Sequence, residues 1–531
     1  MKSTFKHFYM KSSLLKNLCM GLLVTFLGNA NAQTTTYHNP VIPGDYPDPT
    51  VIRVGENYYS AGTSSDFAPN YPLYQSKDLI NWDRIGAIFN KSPEWIVGSF
   101  WAPELYYNNG TYFVYYTARK KSDNVSCIGV ATTKDLSKGF TDHGILIEWG
   151  KEAIDSYVFK DTDGKLYITW KAYGLGPDRP IEILASEMSA DGLSLKGEHF
   201  TLTNHGKGWI GRGDEGECLV KHGDYYYLLY SIGGCCDNRC TYNVRVSRSK
   251  SLRGDWEQYE EKALLEGGEN WVCSGHGTLV QTPDNRYFYM YHAYNSKDFE
   301  FVGRQGLLDE MLWDEKTGWP YFKNGNTPSS QAETPFKNTI QKRHPIFEDD
   351  FSSAENEKYW QWNMRYAKPE INRSPKQLIL SSNDNQAAFL GVSPQTGTYT
   401  METCVTNQSE NKKGLCIYGT HSNLLSIAVE NNQVVVYEIR QDVSLPICTS
   451  PVPTNTPIYL KIESLVGRLF RFYWSTDQIE WHSCMDKDKN TQINGTSLAQ
   501  WGGGLRVGLW AENNKNGANG VFSYFKIINK Y

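Results

Sequence analysis

Long apolar runs, paired cysteine motifs and an excess of basic residues are all scarce in this sequence, and each absence removes a class of protein. Beyond Leu18–Leu27 no stretch approaches the roughly 20 apolar residues that cross a bilayer, so no membrane span is expected. No C-x-x-C pair is present, which removes the common zinc frameworks. Lysine and arginine number 53 against 58 acidic residues, a net charge of −5, so a nucleic-acid partner is not expected. Nucleophile triads and phosphate-binding glycine loops are equally missing. Only 40% of residues are hydrophobic, yet 14% are aromatic, with 46 glycines and 35 tyrosines. That balance favours many short strands joined by tight turns and predicts an all-β protein. At 531 residues the chain exceeds one hydrophobic core, so two domains are expected.

The first 32 residues read as a signal peptide: Lys2, Lys6, Lys11 and Lys16 precede the short apolar run, and Ala30-Asn31-Ala32 offers the cleavage site. Cleavage removes four lysines and no acid, leaving a net charge of about −9. A periplasmic or secreted, monomeric protein is expected. Cys235, Cys236 and Cys240 crowd one loop, which in an oxidising compartment suggests a local disulfide, with the other cysteines buried as thiols.

Five segments share one grammar: an acid or imidazole, a short apolar run, a turn, then a Tyr-rich strand. They open at Asp48, Glu104, Asp155, Glu215 and His276, and lead to the tyrosines at Tyr58, Tyr112, Tyr167, Tyr225 and Tyr287. A second element, as in Ser76-Lys77-Asp78-Leu79 and Thr133-Lys134-Asp135-Leu136, recurs after the first four hairpins. Units of this length fit four-stranded blades and predict a five-bladed β-propeller over residues 37–322. The first strand of each blade lines the channel, so the five opening residues are expected to face one cavity. Carboxylates gathered without a triad or metal motif suit acetal hydrolysis, in which one acid protonates the leaving oxygen and one base activates water. Trp101, just ahead of a channel position, offers a ring face for a sugar or for packing between blades.

Asn39-Pro40-Val41, Asp45-Tyr46-Pro47-Asp48-Pro49, Trp101-Ala102-Pro103-Glu104 and Ile154-Asp155 together resemble glycoside hydrolase family 43 across the propeller. The resemblance implies an inverting enzyme with Asp48 as general base, Asp155 as the carboxylate that orients and tunes, and Glu215 as general acid. It implies a plant polysaccharide or oligosaccharide substrate and an exo-acting α-L-arabinofuranosidase or β-xylosidase. An endo-arabinanase, an exo-galactanase and a non-catalytic carbohydrate-binding propeller remain alternatives. Asp214-Glu215-Gly216-Glu217 departs from the family pattern and leaves Glu217 as an alternative acid. Arg304, in Gly303-Arg304-Gln305, resembles the family's substrate-binding arginine. His276 matches a position where some relatives hold a channel calcium, and a plain histidine bonded to carboxylates is the equal alternative. No cofactor is required for the chemistry.

After Trp319-Pro320 the repeats stop, and 323–345 reads as a turn-rich linker. From 346 to 531, alternating stretches such as Val434–Ile439 and Phe470–Trp474 predict a β-sandwich. Phe347-Glu348-Asp349-Asp350-Phe351 and Val507-Gly508-Leu509-Trp510 resemble the jelly-roll, concanavalin A-like accessory domain of many family 43 enzymes.

Overall fold

The computed structural model describes residues 35–531 except 177–178, 204–212, 260–261, 367, 383–386, 408–410 and 513–519. The expected signal peptide therefore lies outside the described residues.

Alternating sequence patterns with glycine- and asparagine-rich turns close into antiparallel ladders almost throughout. Five four-stranded sheets occupy the first part of the chain. The first contains Thr50–Val54, Asn57–Ala61, Asn70–Ser76 and Asp83–Phe89, and the second Ile96–Asn108, Thr111–Lys120, Ser126–Thr133 and Thr141–Ile147. The third runs Glu152–Lys160, Leu166–Gly176, Arg179–Met188 and Phe200–Thr201; the fourth Glu215–His222, Tyr225–Ile232, Asn243–Ser249 and Glu257–Gln258. The fifth contains Trp271–Gln281, Tyr287–Asn295, Arg304–Trp313 and Pro320–Phe322. Every sheet pairs its strands in chain order, and each first strand touches the first strands of two neighbouring sheets, so these strands close a ring. This is a propeller, with apolar packing between adjacent sheets and the first strands at the axis.

The expected linker is not free chain: it contains Gln331–Glu333, which pairs with Thr36–His38 ahead of the first sheet. Beyond it, two sheets stack as a sandwich. One has nine strands, with Tyr399–Thr406 and Gly520–Asn529 near its middle; the other has six, with Lys412–Thr420 and Arg506–Glu512 adjacent. Their inner faces enclose a single apolar cluster that includes Leu415, Ile427, Leu460 and Phe522. The sandwich is bound firmly to the propeller. Trp362–Asn363 pairs with Phe67–Ala68, Arg365 Nε lies 2.6 Å from Asp66 Oδ2, and buried Arg506 donates to Asp45 Oδ2 at 3.1 Å.

Candidate active site

One backbone device, repeated around the ring, sets the position of the polar side chains. Trp101 faces Thr117, Ile154 faces Lys171, Glu215 faces Ser231 and Gly275 faces His292 across the first two strands of their sheets. In the first sheet Thr63 N–H donates to Pro47 O at the same point. The next residue always turns to positive φ: Asp48 (52°), Ala102 (41°), Asp155 (57°), Gly216 (59°) and His276 (43°). Four of these are not glycine, and such backbone costs free energy and concentrates at functional sites. A polar side chain of the preceding sheet receives the turning N–H in four cases. His292 Nδ1 accepts from Asp48 (3.1 Å), Thr63 Oγ1 from Ala102 (2.7 Å), Thr117 Oγ1 from Asp155 (3.0 Å) and Ser231 Oγ from His276 (2.8 Å).

The repeat therefore corrects the expected equivalence of the five opening residues. Glu104 lies two residues past the turning position, where Ala102 stands, and does not line the same cavity. It faces the other end of the first strands, near Tyr157 and Val158. Its carboxylate accepts from Thr50 Oγ1 at 2.7 Å, and burial pushes it up to about 8. Glu215 lies one residue before the turn yet still reaches the cavity.

That cavity, of about 360 Å³, suits a small ligand and is lined by Asp48, Trp101, Asp155, Glu215, His276 and Arg304. Six of the eight residues singled out from the sequence thus meet at one place, and Glu104 and Glu217 do not. Glu217 is buried beneath, its Oε1 accepting from Thr169 Oγ1 at 3.0 Å, and is not among the lining residues. A larger cleft of about 1240 Å³ is lined by Ile85, Asn90, Glu357 and Glu370–Arg373, and there Glu357 lies 3.4 Å from Arg373.

The acids of the cavity are held in different charge states. Burial alone would raise the Asp48 carboxyl, but the Arg304 guanidinium and the nearby His276 ring outweigh it and hold the group far below the usual carboxylate range. Arg304 Nη1 donates to Asp48 Oδ1 at 2.9 Å and Thr63 Oγ1 to Oδ2 at 2.6 Å. His292 Nδ1 is also 3.2 Å from Oδ1, but its lone pair already takes the Asp48 N–H, and burial lowers this imidazole to about 4. A neutral ring without a proton on Nδ1 gives the carboxylate no hydrogen bond, so Arg304 carries that interaction. Asp155 is raised to about 6 by burial, relieved by His276 and reinforced by the negative charge of Glu215. Burial would also raise Glu215, but Lys171 lowers it by charge and hydrogen bond, and Tyr242 OH donates to Oε1 at 2.8 Å. Lys171 occupies the position that holds Thr or Ser in three other sheets, and is itself buried. Such a pattern, with neighbouring carboxyls pushed apart in affinity for a proton, is what acid–base chemistry requires.

Trp101 has the Arg119 guanidinium 5.4 Å from its ring centre and meets Trp501 edge-on at 6.5 Å. Trp501 belongs to the sandwich, and the segment Gln500–Gly503 forms one wall of the cavity. Gly502 O accepts from Arg304 Nη2 at 3.1 Å, and Gly502 N–H donates to Cys236 O at 2.8 Å. Cys235–Cys236 and Cys240–Cys273 are disulfide-bonded, so the crowded loop holds the expected local bridge plus one to the strand carrying His276. Six other described cysteines are free thiols, five of them buried.

His276 Nδ1 lies 3.5 Å from Asp48 Oδ1 and 3.8 Å from Asp155 Oδ2. Among the described residues no three His, Cys, Asp or Glu side chains converge as metal ligands. One imidazole beside two carboxylates, one of them paired with Arg304, offers too few donors to hold a calcium ion without water ligands.

Sequence reasoning missed Lys171, Tyr242, Thr63 and the sandwich segment. Lys171 and Thr63 carried a readable signal, because each occupies the position opposite the residue that precedes a turning one; Tyr242, just ahead of the third strand of the fourth sheet, carried none. Nothing in the sequence tied Trp501 to a cavity some 400 residues earlier in the chain.

Residues 37–320 match the family model described as glycosyl hydrolases family 43, and residues 348–527 match one described as a beta xylosidase C-terminal concanavalin A-like domain. The chain is 29% identical over 334 residues to a xylan 1,3-beta-xylosidase of Vibrio sp, a match covering 57% of this chain and 60% of that enzyme, so it spans about three fifths of this relative's length. It is 29% identical over 313 residues to an extracellular exo-alpha-(1->5)-L-arabinofuranosidase of Cellvibrio japonicus, covering 52% of this chain and 86% of that one. The crystal structure of a xylan beta-1,4-xylosidase from Bacillus halodurans superposes with a TM-score of 0.80 at 21% identity, over 93% of this chain and 100% of the other, which establishes the shared fold. With the family model spanning more than half of its length, this chain belongs to glycosyl hydrolase family 43.

Proposed function

We propose that the chain is an inverting, exo-acting glycosidase that releases a terminal pentose, xylose or arabinofuranose, from plant cell-wall oligosaccharides. One observation carries this: Asp48, Asp155 and Glu215, from three different sheets, line one small cavity together with Trp101 and Arg304. Asp48, kept ionised by Arg304, is the general base that draws a proton from the attacking water. Glu215 delivers a proton to the leaving oxygen on the other side of the sugar. Close negative charges hold one proton between Asp155 and Glu215, and Lys171 and Tyr242 shift its resting place onto Asp155. Asp155 is therefore both the orienting carboxylate and the proton's reservoir. Beyond its bonds to Asp48 and Gly502, Arg304 retains a second N–H on each of Nη1 and Nη2 for sugar hydroxyls. Trp101 supplies an apolar face to the ring carbons.

The wall formed by Gln500–Gly503 supports exo action, because it bounds from the sandwich side a cavity of only about 360 Å³. The names of the Vibrio and Cellvibrio relatives support a pentose. In this reading residues 37–322 form the catalytic domain, 323–345 the connection and 346–531 the accessory sandwich of a monomer. Residues 1–32 direct export, in keeping with the extracellular Cellvibrio relative. No step is routed through a channel calcium at His276, whose ring stands 3.5 Å from Asp48 and 3.8 Å from Asp155. The test is a release assay on xylo- and arabino-oligosaccharides with product sizing. Monosaccharide release from chain ends is expected; internal cleavage, or no turnover of either series, overturns the proposal.

A further inference from the structure

We infer that the Cys235–Cys236 disulfide is a sugar-contacting wall of the active-site cavity, an apolar ridge against the C–H face of the bound pentose; this rests on the proposed function. Both cysteines line the cavity that holds Asp48, Asp155 and Glu215. A disulfide normally stabilises by closing a loop of chain and so restricting the unfolded state, a gain that grows with loop length. Cys240–Cys273, with a sequence separation of 33, closes such a loop. Cys235–Cys236 joins neighbours and closes none, so loop closure gives no reason for it. What it does provide is local shape: two sulfurs fixed in a small ring, unable to rotate as free thiols do. Sulfur is soft and polarizable and packs well against apolar ring faces.

The surroundings hold this ridge in place. Cys236 O receives the Gly502 N–H at 2.8 Å, and Gly502 O receives Arg304 Nη2 at 3.1 Å, so the ridge, the sandwich wall and the arginine that pairs with Asp48 are linked in series. The same loop ends at Tyr242, whose hydroxyl donates to Glu215 at 2.8 Å. The disulfide is thus joined through Gly502 to the support of Asp48 and along its own loop to the support of Glu215, and it lines the cavity that a sugar reaching both acids enters.

The experiment compares wild type with the double variant C235S/C236S, which leaves Cys240–Cys273 in place. Equilibrium binding of D-xylose and L-arabinose is read by calorimetry, and KM and kcat on 4-nitrophenyl β-D-xyloside and α-L-arabinofuranoside by absorbance. The expected result is a five- to tenfold weaker Kd for the preferred sugar and a matching rise in KM, with kcat reduced less than twofold. Unchanged Kd and KM would overturn the inference, as would a fall in kcat and melting temperature with KM unaltered, which marks a structural role only. Should the double variant fail to fold, the variant C240S/C273S before and after phosphine reduction under non-denaturing conditions provides the comparison, because Cys235–Cys236 is then the disulfide of this loop that is reduced. If the wild type turns over neither glycoside, the proposed function fails, and the binding arm alone still decides the role of the disulfide.

Discussion

Between Phe351 and Ile527 the sandwich packs one continuous apolar cluster, whereas the propeller divides its apolar packing among the spaces between sheets and leaves its axis to Asp48, Asp155, Lys171 and Arg304, all buried. A buried charge is tolerated only with a partner, and here the partners come from different sheets: Arg304 for Asp48, Lys171 for Glu215. The ring geometry gives the propeller a place where residues far apart in sequence meet. Among its described residues the sandwich reaches the cavity through Gln500–Gly503 and Asn363. The sandwich is expected to fix stability and the shape of the cavity's edge, and the ring to fix the chemistry.

Substitutions on the two sides sharpen or break that division. The largest effect is expected for Asp48→Asn, which should lower turnover by about 10²–10⁴ on every substrate, measured by steady-state kinetics with circular dichroism to verify the fold. Glu215→Gln should lose about 10² or more on oligosaccharides but less than tenfold on aryl glycosides, whose leaving groups scarcely need protonation. On the sandwich side, Leu460→Ala removes a fully buried side chain and should cost about 2–5 kcal/mol in denaturant unfolding, with kcat of the folded enzyme unchanged. A kcat loss there would break the comparison. Trp501→Ala should raise KM about five- to tenfold and leave kcat nearly intact, in line with the loss of one aromatic contact.

The smallest effect concerns pH. The proton shared by Asp155 and Glu215 is lost as pH rises through about 6, so activity should fall on the alkaline side near that value. Asp48, held far below its usual range, should add no acidic limb above the pH at which the protein unfolds. Removing the cation in Lys171→Met weakens the pull toward ionised Glu215, so the pair should keep its proton to higher pH and the alkaline limb should move upward. A pH profile of kcat/KM checks the sign.

Much of this was legible in the sequence because a propeller repeats itself. Period-two alternation and recurrent Tyr-rich strands revealed the sheets, and the recurring opening residue pointed to Asp48, Asp155 and His276. The error over Glu104 has a definite cause: first strands bulge near the turning residue, with register shifts around Trp101 and Glu104, so counting along the chain misses the change of face. Lys171 was overlooked because its role depends on which residue it faces across a ladder, and the Trp501 contact because it joins two domains. The position that Lys171 fills recurs from sheet to sheet but its residue type does not, and the contact between domains follows no repeat.

The central claim, that a water on the Asp48 side displaces a leaving group protonated from the Glu215 side, is tested most directly by the configuration of the sugar at the instant of release. Proton NMR of the first minutes of hydrolysis, before mutarotation, should show the anomer opposite to that of the substrate. Release with the substrate's own configuration would require a covalent intermediate and would contradict the role given to Asp48.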